Sequence, residues 1–321
     1  MDHHHQTLSL LIPFLLTLHL SFSGVISTTF TFVNKCEYTV WPGILSNAGV
    51  PPLPTTGFVL QTGETSTIAA PASWGGRFWG RTLCSEDTTG KFSCVTGDCG
   101  SGKVECSGAG AAPPATLAEF TLDGSGGLDF FDVSLVDGYN VPMMVAPQGG
   151  SGEKCTTTGC IGDLNGACPS ELRVMSVDGK EGVACKSACE AFNSPEYCCS
   201  GAYGTPDTCK PSSYSELFKN ACPRAYSYAY DDKTSTFTCA NAVDYTITFC
   251  SSPPTRRQHK GKTQNRKVLQ MITHHQHHLS LTIAITRTTQ WCMKVVMIKV
   301  KFPRPCAPMC SNHKLLLHPL L

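Results

Sequence analysis

From Thr28 onward the chain reads as short runs of β-branched and aromatic residues separated by Gly, Pro, Asn and Asp. The runs are Phe30–Val33, Tyr38–Trp41, Phe58–Leu60, Thr65–Ile68, Arg77–Trp79, Thr116–Leu122, Leu128–Val136, Val141–Val145, Leu172–Val174, Thr236–Cys239 and Tyr245–Phe249. Several alternate apolar and polar residues with period two, the spacing of a strand with one buried face. The pattern predicts an antiparallel β-sandwich or barrel. Two stretches break it. Residues 82–113 are rich in Gly, Ser and Cys with little apolar content, and they read as a small cystine-pinned loop region. Residues 161–223 are dense in cysteine and contain two helical candidates, Ala184–Phe192 and Ser213–Ala221. Because the β pattern returns after both, they are read as insertions into one sandwich. Its first and last strands are then neighbours, near enough for Cys36 to meet Cys250.

The ends of the chain follow other rules. Residues 7–23 are apolar but short, interrupted by Pro13 and His19 and followed by Gly24 and Ser27. This predicts a secretory signal over residues 1–27, although the first six residues lack the usual Lys or Arg. A membrane anchor would need about 20 apolar residues, so no integral span is expected in the mature chain. Charge separates the remainder. Residues 28–250 carry 13 Lys+Arg against 23 Asp+Glu, a net of −10, whereas residues 251–321 carry 12 Lys+Arg and no acid. That basic stretch has no clear helix or strand plan and an odd set of cysteines, Cys292, Cys306 and Cys310, and is read as a disordered, dispensable tail.

The acidic body excludes several chemistries. It contains no His, so neither a Ser-His-Asp triad nor a His-ligated zinc can be built from it. Its net charge repels phosphate, so no nucleic acid is expected as a partner. It holds 16 of the 19 cysteines. An even count in an exported chain predicts eight disulfides formed in an oxidising compartment. Zinc-thiolate modules come as Cys-x2-Cys pairs and the body has none, so no metal and no cofactor is expected. Cys198 and Cys199 are adjacent and should reach different partners. Spacing alone leaves on the order of two million connectivities open. No Asn-x-Ser/Thr acceptor occurs, so the body should carry no N-linked glycan.

Residues 90–106, Gly-Lys-Phe-Ser-Cys-Val-Thr-Gly-Asp-Cys-Gly-Ser-Gly-Lys-Val-Glu-Cys, resemble the signature of the thaumatin-like (pathogenesis-related) proteins of plants, with Cys94, Thr96, Gly97, Asp98, Cys99 and Cys106 at the family's spacings. The resemblance continues through Tyr38–Pro42, Trp79–Thr82, Leu117–Phe120, Gly127–Asp132, Ser134–Asn140, Cys168–Arg173, Tyr197–Cys199 and Ala225–Tyr228, and covers residues 28–250. It implies a mainly β fold: a thaumatin-like antiparallel β-sandwich core (28–81, 114–160 and 224–250), a small cystine-rich lobe (82–113) and a larger one with short helices (161–223). A cleft should lie between the core and the larger lobe. The implied disulfides are Cys36–Cys250, Cys84–Cys94, Cys99–Cys106, Cys155–Cys239, Cys160–Cys222, Cys168–Cys185, Cys189–Cys198 and Cys199–Cys209.

The resemblance also implies a ligand-binding cleft formed by Arg77, Glu119, Asp132, Asp137 and Asp231, with Asp232 an adjacent alternative. Converging carboxylates attract cations or sugar hydroxyls and raise the proton affinity of at least one member. A protonated Glu119 beside an ionised Asp137 or Asp132 is the pairing that glycoside hydrolysis needs. Residue by residue there are structural alternatives: Asp137-Gly138 starts a turn, Asp231-Asp232 is a polar loop, and Arg77 is a carboxylate's partner. Asp132 and Asp137 are an odd number of residues apart, so they share a face only if the strand turns between them. Among the aromatic residues, Trp74, Phe78, Trp79 and Phe131 read as core filling, and Phe130 or Tyr139 as rings lining the groove.

Three functions are then open. The resemblance implies a secreted defence protein of the apoplast or cell wall, monomeric, with antifungal action through β-1,3-glucan or the fungal wall surface. An endo-β-1,3-glucanase using Glu119 with Asp137 or Asp132 is the first alternative. A stress-related structural protein with no glycan target is the second. The acidic body argues against a sweet-tasting variant, which the resemblance links to a basic surface.

Overall fold

The strand β1, Thr28–Asn34, buries every second residue, so Phe30 and Phe32 enter the interior while Thr29 and Thr31 stay nearer the surface. The computed structural model describes residues 27–251, apart from the side chains of Ala242 and Val243. The expected signal and basic tail lie outside the described residues, save for Ser27 and Ser251. Among the described residues, no helix is long and apolar enough to cross a membrane.

The other strands are β2 (Trp41–Ser46), β3 (Thr65–Ala70), β4 (Gly75–Glu86), β5 (Phe92–Thr96), β6 (Leu117–Thr121), β7 (Leu128–Ser134), β8 (Met143–Ser151), β9 (Thr158–Cys160), β10 (Arg173–Met175), β11 (Gly182–Cys185) and β12 (Phe237–Phe249). Helices α1 (Ala188–Phe192), α2 (Pro195–Cys198), α3 (Ser213–Ala221) and α4 (Asp232–Ser235) complete the fold. Ten strands share one hydrogen-bonded sheet in the order β2-β4-β6-β7-β12-β1-β3, with β5 added to β4 and β8 bridging β12 and β9. The sheet curls over an aromatic core in which Phe30 touches Trp74, Phe78, Phe120 and Tyr245 at centroid distances of 4.8–5.9 Å.

β12 closes the arrangement. It pairs β7 through Phe237–Ala240, then β8, and it runs parallel to β1 from Asp244 to Phe249. The two terminal runs expected as separate strands are therefore one strand with a register irregularity. The first and last strands are neighbours, and Cys36–Cys250 ties their ends. All eight implied disulfides form.

Local departures from the sequence reading have local causes. Residues 82–113 are more than loop: β4 runs to Glu86 and pairs with β5, and Cys84 sits directly opposite Cys94 in the register. A cross-strand cystine and the buried Arg81 replace the apolar side chains whose scarcity suggested a loop. The Phe58–Leu60 run contributes only one bridge, Val40 to Leu60, next to a second from Gly43 to the preceding Gly57. The first helical candidate is half strand. Ala184 and Cys185 end β11, and Ser187 starts α1 by accepting the Glu190 N–H at 3.2 Å. The second candidate forms as α3 over Ser213–Ala221, with a reciprocal cap between Ser212 and Ser215.

Candidate functional site: an acidic groove

The site is assembled by strand register. In β4, β6 and β7 the core-facing residues Phe78, Phe120 and Phe131 alternate with polar ones on the opposite face. Arg77 is directly opposite Glu119, and Glu119 directly opposite Asp132. Side chains directly opposite on one face of antiparallel strands have Cβ atoms about 4.5–5.5 Å apart. The pleat therefore sets a cation and two acids in a row. Asp137 joins them by leaving the strand. β7 ends at Ser134, the Gly138 N–H donates to the Leu135 carbonyl at 3.0 Å, and Gly138 has φ 87°. A Cβ at Gly138 would lie 2.7 Å from the Cys185 carbonyl, so the turn that re-aims Asp137 depends on glycine.

These residues border a cavity of about 400 Å³ lined by Arg77, Glu119, Asp132, Ser134, Asp137, Tyr226 and Asp232. Of the five expected residues, four converge. The fifth, Asp231, is turned elsewhere: it receives the Lys219 ammonium at 2.8 Å, the Ser227 N–H at 3.1 Å and the Thr234 hydroxyl at 3.0 Å. Its neighbour Asp232 faces the cavity and accepts the Tyr226 hydroxyl at 2.9 Å. Asp231 precedes α4 but its side chain does not cap that helix. Tyr226 and Ser134 were not singled out by sequence reasoning, because nothing marks either as groove-facing before β7 and the Ser134–Tyr226 bridge are known.

Burial raises the proton affinity of Glu119, with Arg77 opposing and Asp137 adding to the rise. Asp132 is pushed further, well above the usual carboxylate range, first by burial and then by the charges of Glu119 and Asp232. Two paired acids on one face resist double ionisation. Arg77 Nε lies 3.7 Å from Glu119 Oε1, which favours the ionised form there. Asp132 Oδ1 is buried without a hydrogen-bond partner, which an ionised oxygen tolerates poorly. Glu119 and Asp132 each hold a proton more readily than an ordinary carboxyl, and the pair resists losing both.

The groove extends beyond this cavity. A space of about 250 Å³ bordered by Asn47, Phe130, Glu119 and Asp132 adjoins it on one side. Of the two rings expected there, Phe130 lines the groove. Tyr139 does not: it is fully buried and its hydroxyl donates to the Gly162 carbonyl at 2.8 Å. Trp74, Phe78, Trp79 and Phe131 are core.

A curled β sheet cross-linked by eight cystines thus carries an acidic row beside a cystine-rich lobe. The family model of the thaumatin family matches residues 34–251, and the chain belongs to that family. It is 60% identical over 260 residues to thaumatin-like protein 1 of Arabidopsis thaliana, covering 78% of this chain and 97% of that protein. It is 54% identical over 259 residues to the PR5-like receptor kinase of the same plant, spanning 80% of this chain but 39% of the kinase. A protein of Prunus avium called glucan endo-1,3-beta-glucosidase is 54% identical over 245 residues, 76% of this chain and 99% of that protein.

Proposed function

We propose that this chain is a secreted plant defence protein whose acidic groove binds β-1,3-glucan at the fungal wall surface, acting in the apoplast or cell wall as a monomer. One observation carries the reading: the row Arg77–Glu119–Asp132, completed by Asp137 and Asp232, around a cavity of about 400 Å³. Carboxylate oxygens are strong acceptors for sugar hydroxyls, and Arg77 supplies a donor at the same wall. Sixteen cysteines joined in eight disulfides suit export into an oxidising compartment. A relative named as a receptor kinase that carries this region supports recognition as its use. Sedimentation with insoluble β-1,3-glucan tests the reading. Retention of the unmodified chain, weakened in Asp137→Asn, is expected, and free passage of the unmodified chain refutes glucan binding.

A second reading, endo-β-1,3-glucan hydrolysis, is favoured by the raised proton affinity of the Glu119–Asp132 pair and by the name of the Prunus avium relative. In it Asp132 gives the proton to the leaving oxygen, and ionised Glu119 or Asp137 acts as base or nucleophile. Reducing-sugar release that vanishes in Asp132→Asn while glucan retention persists is the outcome it requires. Binding without release leaves recognition as the function.

A further inference from the structure

One hollow shares no wall residue with the two spaces of the acidic groove. It begins in the pairing of β8 with β9, where Met144 is directly opposite Gly159. Met143 and Val145 are fully buried, so the pleat turns Met144 to the other face. A Cβ at Gly159 would lie 2.4 Å from the Met143 carbonyl, so the position opposite Met144 has no side chain to cover it. Ile161, just past β9, is 53% exposed. The Cys160–Cys222 cystine ties the end of β9 to the end of α3 and brings Pro223 and Arg224 to the same surface. The hollow measures about 230 Å³, and its walls include Met144, Ile161, Pro223 and Arg224.

Charge sets it apart. In a body of strongly negative net charge its walls carry no acid, whereas both spaces of the acidic groove are bordered by Glu119 and Asp132. Its one ionisable residue is Arg224. The guanidinium lies 4.5 Å from the centre of the Phe237 ring, and its Nη2 donates to the Thr156 hydroxyl. The Arg224 carbonyl accepts the Thr158 hydroxyl at 2.7 Å. Backbone and side chain are both anchored, yet the residue makes no ion pair among the described residues. A planar guanidinium held in this way is matched in shape and charge by a carboxylate.

The walls select the occupant. A cation is repelled by Arg224. A sugar would lay hydroxyls on Met144, Ile161 and Pro223, whose side chains cannot pair with them. A polyanion needs a cluster of cations and meets only one. An apolar molecule with a single anionic end suits both parts of the wall. Volume limits its size: an apolar cavity of about 150 Å³ holds benzene, and drug-sized ligands take about 300–1,000 Å³. The hollow therefore has room for one ring or a short chain with its head group.

We propose that the hollow between β9 and the end of α3 is a binding site for a small amphiphilic monocarboxylate, with its apolar body against Met144 and Ile161 and its carboxylate on Arg224. The proposal does not depend on the glycan reading of the acidic groove.

The test is calorimetric titration of the full chain with octanoate, and with octanol as its uncharged counterpart. Octanoate should saturate a single site and bind at least about tenfold more tightly than octanol, which lacks the charge-assisted bond to the guanidinium. Arg224→Gln should lower octanoate affinity by about tenfold and leave octanol unchanged. Arg224→Lys should recover part of the loss, because it keeps the charge without the planar fork. Ile161→Asp, a change at an exposed position, sets a carboxylate beside Arg224 and should abolish octanoate binding. Unchanged octanoate affinity in either Arg224→Gln or Ile161→Asp overturns the site, as does equal binding of octanoate and octanol or binding of neither. Vesicles of phosphatidylglycerol and phosphatidylcholine separate a free acid from a membrane surface. Octanoate that stays bound in their presence upholds the proposal, and its displacement overturns it in favour of a lipid headgroup.

Discussion

Asp231 and Asp232 are identical side chains with opposite surroundings, and that difference is testable. Asp231 is tied to Lys219, Ser227 and Thr234, so Asp231→Asn should cost about 1–3 kcal/mol of stability, with little direct effect on glucan retention. Asp232→Asn should do the reverse. Equal effects of the two on retention would return Asp231 to the groove. The acidic row itself was legible from motif matches. The split between the two aspartates was not, because it depends on where α4 begins. Asp132 gives a second test through linkage. Its folded proton affinity lies well above the ordinary value of 3.8, so the folded state keeps a proton that the unfolded chain has released. That contribution is fully present below pH 3.8 and is lost as pH rises through the folded pKa. Asn imitates the protonated acid at all pH values. The melting temperature of Asp132→Asn should therefore gain on that of the unmodified chain as pH rises from about 4 to 7, by about 2–4 °C per kcal/mol of linkage. A difference independent of pH would show that Asp132 carries no raised proton affinity.

Elements were read best where alternation sets them and worst where a single polar residue does the holding. β1, β3, β6 and β7 follow from period-two patterns, and the odd separation of Asp132 and Asp137 correctly demanded a turn, found at Leu135–Gly138. The extension of β4 and its pairing with β5 gave no comparable signal. What secures that hairpin to the sheet is Arg81, which is fully buried and makes no ion pair among the described residues. Its Nε donates to the Trp41 carbonyl at 2.9 Å, and its Nη2 to the carbonyls of Pro42 at 3.2 Å and Val104. Burial lowers its pKa to about 10, with Asp98 and Glu105 opposing, so it stays charged at neutral pH. Arg81→Met would strand these carbonyls away from water and should cost about 3–5 kcal/mol. Arg81→Lys keeps the charge but lacks the planar fork, so it should recover only part of the loss. Denaturant midpoints measure both. A fully stable Arg81→Lys would mean that charge alone, and not the fork, joins the small lobe to β2.

At the scale of the whole molecule, cysteine parity announced eight cross-links, but only the family resemblance chose their partners, since spacing carries no information about which strands meet. Residues 251–321 lie outside that resemblance, and a chain ending at Cys250 is expected to keep its melting temperature and glucan retention. A fall in either would assign the basic stretch a role. The cross-links differ in what each should contribute. Cys84–Cys94 joins residues 10 apart that are already opposite one another in a ladder. Cys36–Cys250 spans 214 residues. Other bridges shorten that path: crossing at Cys84–Cys94, Cys99–Cys106 and Cys155–Cys239 leaves a loop of about 110 residues still to be closed. The chain-entropy relation then gives about 5 kcal/mol for Cys36–Cys250 and about 3 kcal/mol for Cys84–Cys94. Replacing both cysteines of a pair by Ala should therefore lower the melting temperature more for the terminal bridge than for the hairpin bridge, by roughly 4–8 °C at this size. The order matters more than the size, because strain in the folded state shifts either value. If the hairpin pair proves the costlier, loop closure is not what its removal releases. The small lobe would then be held by its cystine against local opening, and glucan retention of the Cys84→Ala/Cys94→Ala chain, with the acidic row on the core parts of β4, β6 and β7, should survive even as the lobe becomes sensitive to proteolysis.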